Sequence, residues 1–391
     1  MNLFRSFAAL YLLLVVSLSL TALAAPVPKS GKYLFYVGTY TQNGSSSNGI
    51  YAYRYDAATQ EITSLGLAAE TTNPSFLVLH PNGNFLYAVN ELGNFKGSNS
   101  GGVSAFSIDK ATGKLTFLNE VQSRGADPCY ITIDKTGKWV LVANYSSGNV
   151  AVFPVQKDGS LGEAASFVQH TGHGADPKRQ EAPHAHSIDL SADNRFAYVD
   201  DLGLDELLVY KFDESTGKLT PNDPPYVKLD PGSGPRHFAL ASSGKFAYVV
   251  SEMKGTVTVF SIDSHTGKPS TLQSVSTQSE GFKGDIEDAE VEIHPSGRFL
   301  YASNRGDGNS LAVFAIDAAK GTLTQVEVTP TQGKAPRHFA FDPTGTLLFA
   351  ENMSSNNVVV FRIDPKTGKL APTGKTFEVG QPVCLKFLAV N

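Results

Sequence analysis

The chain has 391 residues, of which 41% are hydrophobic and 18% charged, a balance typical of a folded globular protein and not of a disordered one. Its formal net charge is −5, so the chain has no excess of basic residues of the kind that nucleic-acid-binding proteins carry. We therefore expect no nucleic-acid partner. Two cysteines, Cys129 and Cys384, are too few for a disulfide framework or a cysteine-type zinc site. With 36 glycines and 21 prolines, the composition indicates a turn-rich β protein.

The N-terminal segment has the pattern of a secretory signal peptide. Arg5 precedes an apolar run over residues 7–20, and Ala22 and Ala24 supply the small residues of a cleavage site. Because proline directly after a cut is poorly tolerated, we expect cleavage after Ala24, which removes residues 1–24. The remainder would be an exported protein, periplasmic or extracellular, with no stable membrane association. The alternative is an uncleaved anchor, for which the apolar run is marginally long enough.

Two interleaved phrases each recur seven times along the chain. The first is a turn followed by a strand rich in aromatic and β-branched residues, and it starts at Gly31, Gly83, Gly137, Asn194, Gly244, Gly297 and Gly345. Successive starts are between 48 and 57 residues apart. The second phrase, Asp-x-x-x-Gly-x-Leu or a close variant, keeps the same period. Regular repeats of this length indicate a repeat architecture.

Each repeat holds four predicted strands, which in the second repeat cover residues 75–79, 85–90, 102–108 and 114–121, with turn-forming residues between them. Four short antiparallel strands repeated seven times predict an all-β, seven-bladed β-propeller that occupies residues 25–391. The first repeat lacks its first strand, and the C-terminal segment 381–389 resembles it. We therefore predict that this segment completes the N-terminal blade and leaves no open edge.

Two columns of residues are predicted to meet at one mouth of the propeller channel, because the first and second strands of a blade form a hairpin. Eight residues before each marker residue stand Ser75, Cys129, His186, Arg236, Ala289 and Arg337, with Val383 in the closing strand. Eight residues after it stand Thr39, Glu91, Tyr145, Leu202, Glu252, Arg305 and Met353. Neighbouring positions hold His184, His237, Glu290, Asn304 and His338. Arginine, histidine and glutamate together suit a small anion and a proton transfer.

A purely structural interpretation of the same residues stays open. Arg236 with Glu252, and Glu290 with Arg305, can form ion pairs that fill the channel.

Other histidines are expected to have no catalytic role. His80 and His294 follow first strands at the turn and are predicted at the surface. The pair His184 and His186 has the spacing of two ligands on one strand face, but no third ligand is defined, so we predict no metal.

Several motifs resemble those of the seven-bladed propeller lactonases, a family that includes bacterial 6-phosphogluconolactonase and fungal carboxy-muconate lactonizing enzyme. They span nearly the whole chain after the signal peptide and read Tyr36-Val-Gly-Thr-Tyr-Thr, Asn73-Pro-Ser-Phe-Leu, Asp127-Pro-Cys-Tyr, Pro183-His-Ala-His-Ser, Gly234-Pro-Arg-His-Phe, Ser303-Asn-Arg-Gly and Ala335-Pro-Arg-His-Phe. The resemblance implies a catalytic set of one histidine, one glutamate and arginines, at His186, Glu252, Arg236 and Arg305. His184 is a rival for the histidine role.

We expect substrate contacts from Arg337, His184, Glu91 and Asn304, and no cofactor. A lactone hydrolase needs a base that activates water and donors that stabilise the tetrahedral oxyanion. His186 or Glu252 can serve as the base, and Arg236, Arg305 or Arg337 can stabilise the oxyanion.

Three functions follow in order of preference. The first is a monomeric lactonase of the 6-phosphogluconolactonase type, acting in carbohydrate metabolism on a small, anionic sugar lactone, although the predicted export departs from the cytosolic location of phosphogluconolactone. The second is a cycloisomerase that closes a lactone on an unsaturated dicarboxylate. The third is a non-enzymatic propeller that binds a ligand or protein through exposed rim aromatics, for which Tyr40, Phe95 and Tyr145 are candidates.

Overall fold

The computed structural model describes residues 31–390, and regular structure in this range is β-strand apart from one 3-10 turn at Met353–Ser355. The predicted signal peptide lies outside the described residues. Within them, no helix has the length and apolar character needed to cross a membrane.

The strands form seven four-stranded antiparallel sheets, which confirms the predicted propeller. Blade 1 contains β1 (Lys32–Thr39), β2 (Gly49–Asp56), β3 (Glu61–Glu70) and β28 (Pro382–Val390); blade 2 contains β4 (Leu77–Leu79), β5 (Phe85–Asn90), β6 (Gly102–Ile108) and β7 (Leu115–Gln122). Blade 3 contains β8 (Pro128–Ile133), β9 (Trp139–Asn144), β10 (Asn149–Pro154) and β11 (Ser166–Gln169); blade 4 contains β12 (Ala185–Leu190), β13 (Phe196–Asp201), β14 (Glu206–Asp213) and β15 (Lys218–Lys228). Blade 5 contains β16 (Pro235–Leu240), β17 (Phe246–Ser251), β18 (Thr256–Ile262) and β19 (Pro269–Ser276). Blade 6 contains β20 (Asp288–Ile293), β21 (Phe299–Asn304), β22 (Ser310–Ile316) and β23 (Leu323–Pro330); blade 7 contains β24 (Pro336–Phe341), β25 (Leu347–Asn352), β26 (Asn357–Ile363) and β27 (Leu370–Glu378).

The C-terminal strand closes the ring, as predicted. Strand β28 pairs antiparallel with β1 from Lys32 opposite Val390 to Gly38 opposite Cys384. Blade 1 therefore has the order β28-β1-β2-β3, and its innermost strand comes from the opposite end of the chain. Because β28 pairs along the edge of β1 that would otherwise be free, β1 has no unpaired edge.

The two repeated phrases meet between neighbouring blades. Tyr87 on β5 is fully buried, and its hydroxyl donates to the Gly159 carbonyl in the next blade at 3.0 Å. The same bond joins three further blade pairs through Tyr198 and Gly267, Tyr248 and Gly321, and Tyr301 and Gly368. Gly159 has a φ of +87°, a left-handed conformation that favours glycine. The aromatic of one phrase and the glycine of the other are thus two halves of one inter-blade contact.

Two sequence-based expectations about surface residues are wrong. His294 is buried, because its Nε2 lies 2.7 Å from the Gly345 carbonyl and its ring packs against Phe341. Phe95 is buried as well, in a loop where its backbone pairs with Ser98.

The first strands surround the axis, since those of neighbouring blades contact each other around the whole ring. Several first strands carry a β-bulge near their start, where one extra residue has no partner on the second strand. The bulged residues are Cys129, His186, Arg236 and Arg337. Bulges redirect side chains and are frequent beside active sites. Here they turn Cys129, His186 and Arg337 toward the same mouth of the channel, whereas Arg236 is buried.

Candidate active site

A cavity of about 260 Å³ lies at this mouth. It is lined by Tyr40, Glu91, Cys129, Tyr145, Arg179, His186, Glu252, Glu287, Arg305 and Arg337. Three of the four bulged positions, Cys129, His186 and Arg337, supply one side of it. The residues that directly follow second strands, such as Glu91 after β5 and Glu252 after β17, supply the other. Five of the eight predicted site residues therefore meet in one cavity.

Glu252 is the centre of the charged groups in this cavity. Its carboxylate accepts hydrogen bonds from Arg179 Nη2 at 2.6 Å, Arg236 Nε at 3.0 Å and Arg305 Nη2 at 2.8 Å. Burial alone would raise the pKa of Glu252, but the charges of Arg305 and Arg236 prevail and lower it to about 2. The carboxylate is therefore ionised and fully engaged, which makes it a poor proton acceptor.

Arg236 lies behind Glu252 and does not line the cavity. Its side chain is 1% exposed, and Nη1 donates to the Ala289 carbonyl at 2.6 Å and to His237 Nε2 at 3.2 Å. Burial, followed by the charges of Arg337 and Arg305, lowers its pKa to about 10. Because these contacts hold Arg236 in place, Arg236 fixes the position of Glu252. The predicted ion pair between the two residues is present.

His186 reaches the cavity with one ring nitrogen available. Its Nδ1 lies 3.7 Å from the Cys129 thiol, and within the described residues Nε2 has no protein hydrogen-bond partner. Burial, and then the charges of Arg236, His237 and Arg337, lower the pKa of His186 well below its ordinary value of 6.5. The imidazole is therefore neutral and able to accept a proton. Burial raises the pKa of the Cys129 thiol, which stays protonated.

Arg337 differs from the other cavity arginines, because its guanidinium makes no hydrogen bond to any residue in the described range. Its nearest carboxylate oxygen belongs to Glu91, 4.0 Å away, and its side chain is 16% exposed. The guanidinium lies over the ring of Tyr40 at 5.4 Å, and the Tyr40 hydroxyl donates to both Glu91 oxygens at 2.9 Å. Burial would lower the pKa of Arg337, but the electrostatic interactions with Tyr40 and Glu91 outweigh it and raise the pKa above its ordinary value. A charged group with free donors thus faces the cavity.

Two predicted substrate contacts lie outside the cavity lining. The ring of His184 stacks on Tyr145 at 4.6 Å, and its Nδ1 lies 3.1 Å from the Tyr145 carbonyl. Asn304 is fully buried and donates to the Thr277 carbonyl and the Ser310 hydroxyl. Both residues have structural contacts that account for their positions.

The predicted ion pair between Glu290 and Arg305 is wrong. Glu290 instead lies between His237 Nδ1 at 3.1 Å and His338 Nε2 at 3.5 Å, deeper in the channel. Arg305 turns to Glu252, because it follows its strand at the mouth whereas Glu290 lies within β20. Within residues 31–390, no three histidine, cysteine or acidic side chains meet as a metal site.

Arg179 and Tyr40 line the cavity but were not among the predicted catalytic or substrate-contact residues, and Tyr40 was considered only as a rim aromatic. Arg179 lies in the long connection between β11 and β12, outside both repeated phrases, and the periodicity gives no information about it. The Gln180 side chain anchors that connection by donating to the Leu202 carbonyl and to Asp205. The length of the connection between β11 and β12 was the available signal for Arg179, because long ordered loops on rigid scaffolds often carry functional residues.

The comparisons with known proteins agree with this architecture. The family model described as lactonase, 7-bladed beta-propeller matches residues 34–387. The 6-phosphogluconolactonase of Bacillus subtilis is 39% identical over 357 residues, covering 91% of this chain and 99% of that protein. The 6-phosphogluconolactonase of Formosa agariphila is 34% identical, covering 86% and 94%. The structure of the periplasmic gluconolactonase of Pseudomonas aeruginosa is 37% identical with a TM-score of 0.86, covering 92% and 100%.

The chain therefore belongs to the seven-bladed β-propeller lactonase family. It is a lactonase, and its relatives include proteins named 6-phosphogluconolactonase and one named gluconolactonase. Neither the cycloisomerase nor the non-enzymatic alternative is favoured by these relatives.

Proposed function

We propose that the cavity at the bulged mouth hydrolyses a sugar lactone, with His186 as the base and Arg337 as the main oxyanion donor. The observation that carries this proposal is the contrast between Arg337, which has free donors, and the other arginines, which are bound to Glu252. A neutral imidazole with an available Nε2 lines the same cavity. A general base and a preorganised cation are the two parts that ester hydrolysis requires.

The proposed reaction has two proton transfers. His186 Nε2 accepts a proton from water as the oxygen attacks the lactone carbonyl carbon, and Arg337 stabilises the negative charge that develops on the carbonyl oxygen. The tetrahedral intermediate then breaks its bond to the ring oxygen, which receives the proton from His186. The product is an open-chain hydroxy acid that ionises at neutral pH and releases one proton.

Glu252 is proposed to organise the cations rather than to act as the base. Its carboxylate accepts hydrogen bonds from three guanidinium groups, and a pKa of about 2 leaves it little affinity for a proton. Arg236 supports Glu252 from behind, and Arg305 presents a second cation at the cavity wall.

The test is a panel of lactones, each with and without a phosphate, assayed by proton release at constant pH. His186→Ala and Arg337→Ala are each expected to lower kcat by roughly 100-fold, the range typical of a lost general base or oxyanion donor. Ser146→Ala, on the exposed rim outside the cavity, is the control. Wild-type turnover in both variants would refute the assignment.

The preference for an anionic substrate stays a prediction that this panel tests. Three arginines and three glutamates line the cavity, so their formal charges cancel. An anionic group would depend on Arg337 and on Arg179, whose side chain is 40% exposed.

Export is proposed from the N-terminal pattern, and the Pseudomonas aeruginosa relative named as periplasmic supports it. Sequencing of the mature N-terminus is expected to give Ala25 first, and recovery of intact Met1 would contradict it. Sedimentation is expected to show a monomer that does not pellet with membranes.

A further inference from the structure

A second cavity of about 460 Å³ adjoins the active-site cavity and shares two residues with it. Tyr40 and Glu91 line both, and their hydrogen bonds of 2.9 Å hold them together as a common wall. Pockets for small organic ligands typically measure ~300–1,000 Å³. The active-site cavity lies just below this range and suits one sugar ring, whereas the two cavities together have room for a larger ligand.

The second cavity has the chemistry of a site for an uncharged, hydroxyl-rich group. No arginine, lysine or histidine is among the residues that line it. Its polar residues besides the shared wall are four amides and one carboxylate: Gln42, Asn43, Asn73, Gln381 and Asp127. Amides offer donors and acceptors to hydroxyl groups, while the Asp127 carboxylate and the lack of a cation among the lining residues disfavour a phosphate.

Several of these polar groups have no hydrogen-bond partner among the residues that the structure describes. Asn73 is occupied, since Nδ2 donates to Gln42 and to the Glu91 carbonyl, and Oδ1 accepts from the Thr41 backbone. By contrast, the side chains of Asn43, Asp127 and Gln381 make no hydrogen bond to any residue between 31 and 390. Asn73 therefore braces the cavity wall, and the other three present free polar atoms.

We propose that the second cavity is a subsite for a second sugar unit, so that the enzyme opens lactones of oxidised disaccharides. The lactone ring lies in the active-site cavity, and the glycosidically linked sugar passes Tyr40 and Glu91 into the subsite. This proposal rests on the proposed lactonase site for the position of the lactone ring, and it adds the class of substituent that the substrate carries.

Gly93 is a position at which a larger side chain can fill the subsite without entering the active-site cavity. It is exposed at the edge of the second cavity, its φ lies outside the left-handed region, and a Cβ placed on it would meet only the Asp127 carboxylate oxygens at 3.7 Å, an ordinary contact. Gly93→Phe should therefore occupy the subsite without strain in the backbone. Ser146→Phe is the matched control, because Ser146 is exposed in the corresponding turn of blade 3 and lines neither cavity.

The experiment combines turnover with binding. The kcat/KM values for glucono-1,5-lactone and for the lactones of cellobionic and maltobionic acid are measured for the wild type and both variants. Calorimetry measures the binding of the products gluconate, cellobionate and maltobionate, which needs no turnover. In the wild type we expect at least one disaccharide acid to bind about tenfold more tightly than gluconate, the effect of one or two added hydrogen bonds. Gly93→Phe should remove this advantage in both assays and leave the gluconolactone values within twofold.

Three results would overturn the subsite. In the first, neither disaccharide acid binds the wild type more tightly than gluconate. In the second, Gly93→Phe weakens gluconate and the disaccharide acids equally. In the third, Ser146→Phe has the same effect as Gly93→Phe. If no lactone is opened but Gly93→Phe removes tighter disaccharide binding, the subsite stands and the proposed hydrolysis fails.

Discussion

Replacing Glu252 by glutamine should destabilise the fold by about 3 kcal/mol, because three arginines share its single negative charge. Lowering a carboxyl pKa from the usual 4.5 to about 2 corresponds to about 3 kcal/mol at ~1.36 kcal/mol per pKa unit. Loss of one partner from a buried ion pair typically costs ~3–5 kcal/mol, which agrees with this figure. Glutamine keeps the size of the side chain, so the change isolates the charge.

The assay is urea unfolding at pH 7, with Glu287→Gln as the control. Glu287 lines the same cavity, but its side chain is 48% exposed and 3.9 Å from Arg305, so its loss should cost less than ~1 kcal/mol. The pH dependence provides a second readout. Because the folded-state pKa of Glu252 is lowered, its contribution is present above pH 4.5 and is lost as the pH falls toward 2. Equal unfolding midpoints for the two variants, or a difference from wild type that persists unchanged down to pH 2, would refute the reasoning.

The remaining predictions concern the base, the oxyanion donor and the closure. The lowered pKa of His186 keeps the imidazole neutral, so kcat should not fall between pH 7 and 6, and an acid limb centred at 6.5 would contradict this role. Arg337→Lys keeps the charge but loses the planar fork, so it should restore only part of the turnover lost in Arg337→Ala, as steady-state kinetics would show. Deleting residues 382–390 exposes the edge of β1 and should lower Tm sharply, whereas an unchanged Tm would refute the closure.

The sequence predicted the fold well because both halves of the inter-blade contact repeat along it. Tyr87 and Gly159 lie in different phrases, and each phrase recurs with the period of a blade. The closure was equally accessible, since a missing strand at one end matched an extra strand at the other.

The site was predicted in part, and the reason lies in the bulges. Counting from the marker residues found His186 and Arg337, but simple alternation along a strand cannot predict which side of a bulge faces the cavity. Arg236 occupies the same column as Arg337 and is nevertheless buried behind Glu252. How deeply a side chain lies in the channel depends on the neighbouring blades, and the sequence of a single repeat gives no information about them.

Residues outside the repeats were beyond that method. Arg179 comes from a connection with no counterpart in the other blades, and its contact with Glu252 depends on how Gln180 anchors the loop. Asn304 stands next to the site column, but its side chain points into its own blade toward Ser310. Adjacent strand residues face opposite ways, so one position decides between the cavity and the core.

A crystal structure with glucono-1,5-lactam, a stable analogue of the lactone, would test the central claim most directly. We expect the lactam to lie in the cavity at the bulged mouth, with its carbonyl oxygen within hydrogen-bond distance of Arg337. His186 Nε2 should face the carbonyl carbon across the space of one water molecule. A lactam bound at the opposite mouth of the channel, or one whose carbonyl oxygen has no contact with Arg337, would contradict the assignment.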